Sequence, residues 1–370
     1  MASEEVTLLE CNQTKKNALT PLRKCQLLTF LCLLPLVLLN VWLKAFSWDS
    51  NEQIDSNEQN QVTILMWHEP FRPPTLWTSF MNGDHNCSPS CKIVRRRSLF
   101  PTADVVVFHN RELITGQEKL PMDLPRPPGQ RWVWMSLESP VHNGDLRKFA
   151  GIFNLTMNYR RDADISIPYG ERLAKKPEEG ENPVQTNTGN KSILACWVVS
   201  NYASSYRRSK VHKELSAIVP VKVYGRWTNI PLTSAELIPT ISHCYFYLAF
   251  ENSEAKDYIT EKLWKNAYQS GAVPVVLGAP VQDYEAVAPP HSFIHVDEFA
   301  SVKELAVYLQ QVAGDQKLYS EYFQWKRNWK TKLTADWNER LCKICSHFDS
   351  LPPNKVYADL AAWDHATGAA

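Results

Sequence analysis

Polar and charged side chains gather between two apolar segments in the second half of the chain. The run Phe246 to Phe250 predicts a strand, and the polar stretch Glu251-Asn-Ser follows it. The predicted helix after this stretch has an apolar face made of Ile259, Leu263 and Ala267. Gly271 is expected to end the helix, and Val273 to Leu277 to form the next strand. A β–α–β unit of this kind binds ligands at the carboxyl ends of its strands, and a helix amino terminus favours a phosphate group.

A carboxylate in the first half of the chain stands where a proton acceptor could work. The segment Arg131 to Leu137 indicates a buried strand, and Glu138 follows it just before a turn enforced by Pro140. Glu138 is therefore expected at the carboxyl edge of a sheet, facing a cleft. Burial in a cleft raises the pKa of a carboxylate and suits it to act as a general base. The alternative is a surface glutamate in a turn.

Three cations stand near the start of a predicted helix at about 206–218. They are Arg207, Arg208 and Lys210, and they follow the segment Trp197-Val-Val-Ser-Asn201. An arginine fork suits a diphosphate, and the helix amino terminus adds partial positive charge. A solvated basic face is the alternative, and we accept it for Arg207 and Lys210.

Short strands and helices alternate along the chain. The strands predicted in the first half are Val62 to Trp67, Asp104 to His109, Arg131 to Leu137 and Asp164 to Ile167. The polar stretch Glu171 to Asn190 has no apolar periodicity and is predicted to be a linker. Besides the β–α–β unit, the second half is predicted to hold strands Ile193 to Ser200, Val221 to Tyr224 and Phe293 to Val296, and helices at about 301–312 and 317–329. Alternation of this kind predicts parallel sheets.

A leucine-rich segment near the amino terminus predicts a membrane anchor. Residues 25–43 carry no charge, which is close to the roughly 20 residues that span a bilayer. Lysines and an arginine precede this segment and acidic residues follow it, so the positive-inside bias puts the amino terminus in the cytosol. The alternative, a cleaved signal peptide, lacks a small-residue cleavage pattern. We therefore expect an uncleaved signal anchor.

Cysteines and glycosylation sequons agree with an oxidising compartment beyond that anchor. Six of the nine cysteines lie past it: Cys87, Cys91, Cys196, Cys244, Cys342 and Cys345. An even number predicts three disulfides, and Cys196 pairs with Cys244 because both sit beside adjacent predicted strands. A zinc site at the closely spaced pairs is the disfavoured alternative. Of the lumenal sequons, Asn154 and Asn190 are predicted to be glycosylated, and Asn86 is left doubtful because Cys87 follows it.

The motifs together resemble one enzyme family. Phe250-Glu-Asn-Ser, then Asp257-Tyr-Ile-Thr-Glu-Lys262, a helix and Gly271-Ala-Val-Pro-Val-Val-Leu-Gly278 are similar to the donor-binding signature of the α-1,3-fucosyltransferases, glycosyltransferase family 10. The resemblance runs from about Val62 to the carboxyl terminus. It implies an α/β fold of the GT-B kind, in which two Rossmann-like domains face each other across a cleft. It also implies that Cys87, Cys91, Cys342 and Cys345 pair among themselves and tie the two ends of the lumenal region together, by local or crossed bridges.

The resemblance assigns roles to individual residues. Glu138, in Glu-Ser-Pro, takes the family's general-base position, and with Ser139 and Pro140 it is expected to meet the acceptor. The residues expected to bind the donor, GDP-fucose, are Tyr169, Val198, Ser200, Asn201, Arg208, Tyr247, Asn252, Tyr258, Glu261 and Lys262. Tyr258 and Glu261 are predicted to share a helix face because they lie three residues apart. Glu261 is expected to take sugar hydroxyls and Lys262 the phosphates.

Asp162-Ala-Asp164 has the form of a metal-binding DxD motif. Such a pair can hold Mn²⁺ under a nucleotide diphosphate. In this chain it stands in Tyr159-Arg-Arg-Asp-Ala-Asp164, which resembles a segment of the family's acceptor-side domain. We expect the aspartates to pair with Arg160 and Arg161 and to fix the entry to a strand. No metal site and no required cofactor are predicted, although stimulation by a divalent metal is left open.

The predicted reaction is transfer of L-fucose with inversion. Glu138 would deprotonate the 3-hydroxyl of N-acetylglucosamine in a lactosamine glycan, and that oxygen would attack GDP-β-L-fucose. Val223-Tyr-Gly-Arg-Trp227 and the carboxyl-terminal Leu351-Pro-Pro-Asn-Lys355 most resemble the leukocyte-type subtype, which makes sialyl Lewis x. Cys196 and Cys244 instead resemble a neighbouring subtype that acts on unsialylated acceptors. The family further implies a single-pass type II protein of the Golgi membrane with a lumenal catalytic region.

The predicted organisation has five parts. They are a cytosolic tail at 1–24, the anchor at 25–43, a stem at 44–61, an acceptor-side domain at 62–185 and a donor-binding domain with carboxyl-terminal helices at 186–370. The net charge of +1 gives no global field for nucleic acid, and none is expected as a partner. Two alternatives stay open: a core α-1,3-fucosyltransferase of N-glycans, and a catalytically silent, membrane-anchored glycan-binding protein.

Overall fold

The apolar strands of the first half form one mostly parallel sheet. The computed structural model describes residues 61–71, 83–176 and 190–366. The strands of this sheet are β1 (Val62–Met66), β2 (His85–Ser88), β3 (Cys91–Val94), β4 (Val105–His109), β5 (Arg131–Ser136), β6 (Leu155–Asn158) and β7 (Ile165–Ser166). Their order is β2-β3-β1-β4-β5-β6-β7, and only β2 and β3 run antiparallel. The carboxyl ends of β1, β4 and β5 therefore meet at one edge, as ligand sites of open α/β sheets require.

A second sheet contains the strand–helix–strand unit. Its strands are β9 (Ile193–Val198), β10 (Val221–Tyr224), β11 (Cys244–Phe250), β12 (Val273–Leu277) and β13 (Ile294–His295). The order is β10-β9-β11-β12-β13, and all neighbouring strands are parallel. The prediction of parallel sheets is confirmed, and the predicted strands of this half agree with the observed ones to within a few residues.

A two-stranded antiparallel ribbon corrects two predictions. β8 (Gly170–Ala174) pairs with β14 (Trp329–Leu333). The predicted linker at 171–190 therefore begins with a strand, and the predicted helix at 317–329 stops early and gives way to a strand. Both strands depend on a partner more than 150 residues away, so neither has a local pattern that would reveal it. Residues 177–189 of the linker lie outside the described residues.

Helices and turns connect the strands. The helices are α1 (Asn110–Ile114), α2 (Arg207–Ser216), α3 (Ser234–Ser242), α4 (Tyr268–Ser270), α5 (Val281–Val287), α6 (Val302–Gly314), α7 (Gln316–Glu321), α8 (Trp337–His347) and α9 (Leu360–His365). A π-helical segment, Lys262–Ala267, leads into α4. Short 3₁₀ turns cover Arg97–Thr102, Pro140–His142, Leu146–Phe149, Arg226–Thr228, Val296–Glu298, Gln324–Arg327 and Phe348–Ser350. Helix α3 was missed, although Thr233 and Glu236 form a capping box whose spacing is visible in the sequence.

The carboxyl-terminal helices pack against the first sheet. Trp337, Leu341 and Ile344 of α8 share a buried apolar cluster with β1, β4 and β5. Two disulfides, Cys87–Cys342 and Cys91–Cys345, fasten α8 to β2 and β3. These bridges are crossed, which the sequence analysis left open. The chain thus returns to its first sheet at the end, while the predicted boundary at 185/186 stays a prediction.

The remaining disulfide joins Cys196 of β9 to Cys244 of β11, the pair expected from adjacent strands. His85 has a ligand atom within 4.8 Å of the sulfurs of Cys87 and Cys342. Because those two sulfurs are bonded to each other, they are not the thiolates that zinc needs. The closely spaced cysteines are therefore not available as the ligands of the zinc site that was considered as an alternative.

The structure bears on the predicted membrane anchor and on the predicted glycosylation sites. No helix among the described residues combines the length and apolarity needed to cross a membrane. The predicted tail and anchor, and the stem up to residue 60, lie outside those residues. Asn190 is exposed. Asn154 is 8% exposed, and its amide nitrogen donates to the Lys355 carbonyl at 2.8 Å, so the folded protein does not present this sequon to solvent.

Candidate active site

Glu138 lies at the carboxyl edge of the first sheet in a segment whose backbone is fixed on both sides. It comes two residues after β5, and its N–H donates to Ser136 Oγ at 3.2 Å. The Leu137 carbonyl accepts a hydrogen bond of 2.6 Å from the Tyr169 hydroxyl. Asn143 Nδ2 donates to the Glu138 carbonyl at 3.4 Å. The strand end and these bonds hold the half-buried Glu138 at the sheet edge that the sequence predicts.

The carboxylate of Glu138 shares its surroundings with residues expected to bind the donor. Burial raises the pKa of Tyr258 well above its ordinary value, and the charges of Glu251, Glu138 and Glu261 raise it further. Burial likewise raises the pKa of Tyr169, and the same carboxylates Glu261 and Glu138 add to the effect. Tyr258 and Glu261 lie between β11 and β12 of the second sheet, so the charge of Glu138 reaches residues of the second half of the chain.

Ser139 links the Glu138 segment directly to the second half. Its hydroxyl donates to Ser253 Oγ at 2.8 Å, and His142 Nδ1 lies 2.9 Å from the same Ser139 oxygen. Pro140 opens the 3₁₀ turn that brings His142 back to Ser139.

Arg208 is a buried cation that has no acidic partner among the described residues. Its residue is 5% exposed, and its terminal nitrogens donate to the carbonyls of Phe250, at 3.4 Å, and Asn201. None of the described carboxylates forms an ion pair with it, and Nε has no partner among the described residues. Burial lowers the pKa of the guanidinium. Arg207 instead pairs at the surface with Glu254 and Asp297, so Arg208 rather than Arg207 is suited to an anion.

A cavity of about 360 Å³ opens between the two halves beside Arg208. Its walls are formed by Val141, His142, Ser205, Tyr206, Arg207, Arg208, Glu251, Asn252, Ser253, Glu254, Leu277 and Gly278. Asn252 lies there as predicted, and its Oδ1 is buried without a partner among the described residues. A side chain at Gly278 would place a Cβ 2.7 Å from Cβ of Glu251, so only glycine allows this close approach.

Lys262 belongs to a compact ion-pair cluster at the start of the π-helical segment. Nζ donates to Glu251 Oε2 at 2.7 Å, to Thr260 Oγ1 at 2.8 Å and to Glu261 Oε1 at 3.3 Å. Burial opposes the charge of Lys262, but the two carboxylates outweigh it and raise the pKa of the ammonium. Burial also raises the pKa of Glu251. Glu251 was not assigned a role from the sequence, although it stands inside the quoted Phe-Glu-Asn-Ser motif.

One sequence prediction in this region is wrong. Tyr258 precedes the helix, which begins at Glu261, so the two residues do not share a helix face. The ring of Tyr258 packs instead against Tyr159, with centroids 5.0 Å apart. Tyr247 is fully buried, and its hydroxyl accepts a bond of 2.9 Å from Asn266. Its assignment to the donor stays a prediction.

The remaining predicted donor residues lie at the end of β9. Val198 is half-buried at the last position of the strand, and Ser200 and Asn201 are exposed just after it. The backbone carbonyl of Asn201 accepts a hydrogen bond from Arg208.

The predicted site residues fall into two neighbouring groups. Glu138, Tyr169, Tyr258, Glu261 and Lys262 form one group, and Arg208 and Asn252 lie in the adjoining cavity.

Both aspartates of the DxD motif form ion pairs with basic side chains. Asp162 pairs with Arg160 at 2.8 Å and with Lys256 at 3.0 Å. Asp164 pairs with Lys355 at 2.6 Å. The predicted pairing with Arg160 is confirmed for Asp162. The predicted use of Arg161 is wrong, because Arg161 reaches residues of the second half, 96 and 122 positions along the chain.

Comparison with known proteins agrees with this architecture. A family model described as "Fucosyltransferase, N-terminal" matches residues 59–170, and one described as "Glycosyltransferase family 10 (fucosyltransferase) C-term" matches residues 188–363. Alpha-(1,3)-fucosyltransferase 7 of Mus musculus is 46% identical over 315 residues, covering 83% of this chain and 77% of the relative. The Homo sapiens protein of that name is 43% identical over 314 residues, covering 83% and 87%.

More distant similarities point the same way. The Bos taurus 4-galactosyl-N-acetylglucosaminide 3-alpha-L-fucosyltransferase 9 is 40% identical over 304 residues, covering 82% of each chain. A crystal structure of an alpha1,3-fucosyltransferase with GDP-fucose has the same fold, with a TM-score of 0.51 and 16% identity over 81% of this chain and 93% of that one. This protein belongs to glycosyltransferase family 10 and is an enzyme of the α-1,3-fucosyltransferase kind.

Proposed function

We propose that this enzyme moves L-fucose from GDP-β-L-fucose to the 3-hydroxyl of N-acetylglucosamine in lactosamine-type glycans, with Glu138 as the general base. The observation that carries the assignment of Glu138 is the bond of 2.8 Å between Ser139, its neighbour, and Ser253 of the Phe-Glu-Asn-Ser segment. This contact fastens the loop that carries Glu138 to the loop that enters the cavity. A carboxylate held at such a gap is suited to take a proton from a hydroxyl.

The donor diphosphate is assigned to the cavity beside Arg208. A buried guanidinium whose described partners are carbonyl oxygens retains the charge that a diphosphate needs. Asn252 adds a side-chain amide in the cavity wall. Lys262 stands close by in its cluster with Glu251 and Glu261, and we assign it to the phosphates as the second cation.

The proposed step is a single displacement. Glu138 takes the proton of the acceptor 3-hydroxyl while that oxygen bonds to the anomeric carbon of fucose from the face opposite GDP. The bond from that carbon to the phosphate oxygen breaks, and the charge that develops on GDP is stabilised by Arg208 and Lys262. The anomeric configuration inverts from β to α. The proposed step uses no metal, and stimulation by divalent ions stays open.

We assign the acceptor to α2,3-sialylated lactosamine, the substrate of the leukocyte-type subtype. The relatives named alpha-(1,3)-fucosyltransferase 7 are 43–46% identical, against 40% for those numbered 9, which supports this choice. The Cys196–Cys244 disulfide points instead toward the subtype for unsialylated acceptors. The name of the second group, which specifies a 4-galactosyl-N-acetylglucosaminide acceptor, argues against the core-fucosylating alternative.

We also infer the cellular setting and the domain plan. The two parallel sheets support two Rossmann-like domains of the GT-B kind, at 62–185 and 186–370, with the carboxyl-terminal helix α8 of the second part packed back against the first sheet. The uncharged segment 25–43 supports a type II anchor in the Golgi membrane, with the catalytic region in the lumen. The three disulfides agree with that oxidising compartment. Protease protection of the catalytic region in sealed Golgi vesicles tests the topology, and digestion without detergent would contradict it.

One assay tests the activity and the acceptor together. The purified lumenal protein is incubated with GDP-fucose and with sialylated or unsialylated lactosamine, and the products are analysed for linkage. We expect α1,3-fucosylated N-acetylglucosamine from the sialylated glycan. Fucosylation of the neutral glycan alone would overturn the subtype assignment. Binding of glycan with no GDP release above a blank would favour the catalytically silent alternative.

A further inference from the structure

Arg161 joins two carboxylates that belong to the other half of the molecule. Its Nε donates to Asp257 Oδ1 at 2.6 Å, and a terminal nitrogen donates to Asp283 Oδ1 at 2.6 Å. Its backbone N–H donates to Asp257 Oδ2 at 3.0 Å, and the backbone N–H of Asp257 donates to Asp283 Oδ2 at 2.8 Å. The side chains of Asp257 and Asp283 are 3% and 10% exposed. Among the described residues, Arg161 is the one cation that forms an ion pair with either of them.

Asp257 has a backbone conformation that its surroundings must enforce. Its φ is 59°, in the left-handed region that non-glycine residues seldom adopt. This bend brings the next residue, Tyr258, back against Tyr159, two positions before Arg161. Arg161 therefore holds the residue whose unusual backbone places Tyr258 against Tyr159.

The same segment is held at two further points by the first half. Asp162 pairs with Lys256 at 3.0 Å, and Ser139 bonds to Ser253 at 2.8 Å. Residues 253–258 are thus fixed from the first half at their beginning and at their end. This segment connects β11 to the helix that starts with Glu261 and Lys262, so its position sets theirs.

We propose that Arg161 is a positioning residue for the donor: through Asp257 and Asp283 it fixes Tyr258, Glu261 and Lys262 at a set place relative to Glu138. The inference rests on the proposed donor site, and in it Arg161 acts through Asp257 and Asp283 rather than by contact with the donor. Two near-buried carboxylates left without their cation would repel each other and release the segment. A small displacement of binding groups is enough to weaken binding and transfer.

The test compares Arg161→Gln and Arg161→Lys with wild type by calorimetric titration with GDP and by steady-state kinetics. For Arg161→Gln we expect the Kd for GDP and the KM for GDP-fucose to rise about tenfold, with the acceptor KM within about twofold of wild type. Arg161→Lys should lie between, because one ammonium does not reproduce the guanidinium fork. The control is Arg147→Gln, which removes an Arg–Asp pair whose arginine is 82% exposed, and it should bind GDP like wild type.

The possible results distinguish the positioning role of Arg161 from the proposed donor site itself. A folded Arg161→Gln protein that binds GDP like wild type, or that only melts earlier, overturns the inference. If Arg161→Gln does not fold by circular dichroism, Asp283→Asn replaces it, because the Arg161–Asp257 contacts persist there. A rise of about threefold in the Kd for GDP then supports the inference, and an unchanged Kd overturns it. Failure of the wild-type protein to bind GDP would instead count against the proposed donor site.

Discussion

Lys262 Nζ lies 2.7 Å from Glu251 Oε2, and this carboxylate is 1% exposed while the lysine side chain is 17% exposed. The pair gives Lys262 two possible roles, since it neutralises a buried acid and is also assigned to the donor phosphates. The two roles respond differently to substitution of the partner.

Lys262→Met is expected to destabilise the protein by about 3–5 kcal/mol, because it leaves Glu251 buried and unpaired. Adding Glu251→Gln should restore most of that stability in chemical denaturation. Affinity for GDP, measured by calorimetry, should stay about tenfold below wild type in the double variant, a loss of about 1.4 kcal/mol. A double variant that binds GDP normally would show that Lys262 serves only to neutralise Glu251. Lys332→Met, at an exposed pair with Glu339, should change stability by less than about 1 kcal/mol.

The two neighbouring disulfides that join α8 to β2 and β3 should be partly redundant. Each one closes a loop of about 255 residues on its own, but with one in place the other closes only a few residues. Replacing Cys87 and Cys342 by Ser should therefore cost about 2–3 kcal/mol, and removing Cys91–Cys345 as well should cost roughly 5 kcal/mol more. Denaturant unfolding of the two variants measures these losses. Equal losses from the first and second removal would contradict the redundancy.

The buried carboxyl group of Asp364 is expected to make the free energy of unfolding depend on pH. Burial raises the pKa of its carboxyl from an ordinary value of 3.8 to about 6, while Asn143 Nδ2 donates to it at 2.9 Å. The folded protein then holds a proton that the unfolded chain releases, so the free energy of unfolding falls as pH rises from about 4 to about 6. The decrease should total about 3 kcal/mol.

The matched variants for this prediction are Asp364→Asn and the exposed Asp349→Asn. Asp364→Asn should lose this decrease and exceed wild type in stability above pH 6, because an amide has no charge to bury. Asp349→Asn should follow the wild-type curve. Parallel pH profiles of wild type and Asp364→Asn, measured by urea unfolding, would be inconsistent with a raised pKa.

Local periodicity accounts for what the sequence analysis predicted well. The strands Phe246 to Phe250 and Val273 to Leu277 and the stop at Gly271 follow from apolar runs and from glycine, and the structure has all three, with Gly271 at φ 68°. The position of Glu138 just after a strand was predicted for the same reason, since a strand followed by a proline turn has a defined end. These features depend on residues that are neighbours in the chain.

The features that were missed depend on distant partners. The ribbon of β8 and β14, the crossed disulfides and the partners of Arg161 all join segments far apart in sequence. Tyr258 was placed on a helix because its spacing from Glu261 allows it, whereas the bend at Asp257 depends on a contact with Arg161. Lys262 was assigned to phosphate without its buried partner Glu251, because a motif does not reveal which of its acids is buried.

The most direct test of the account is the Glu138→Gln variant, with the exposed Glu214→Gln as control. Fucosyl transfer to lactosamine is measured alongside binding of GDP and thermal melting. We expect kcat to fall by about 10²–10⁴ for Glu138→Gln, while its Kd for GDP and its Tm stay at wild-type values. Glu214→Gln should be indistinguishable from wild type. Transfer by Glu138→Gln at a rate close to wild type would contradict the assignment of the base and the mechanism built on it.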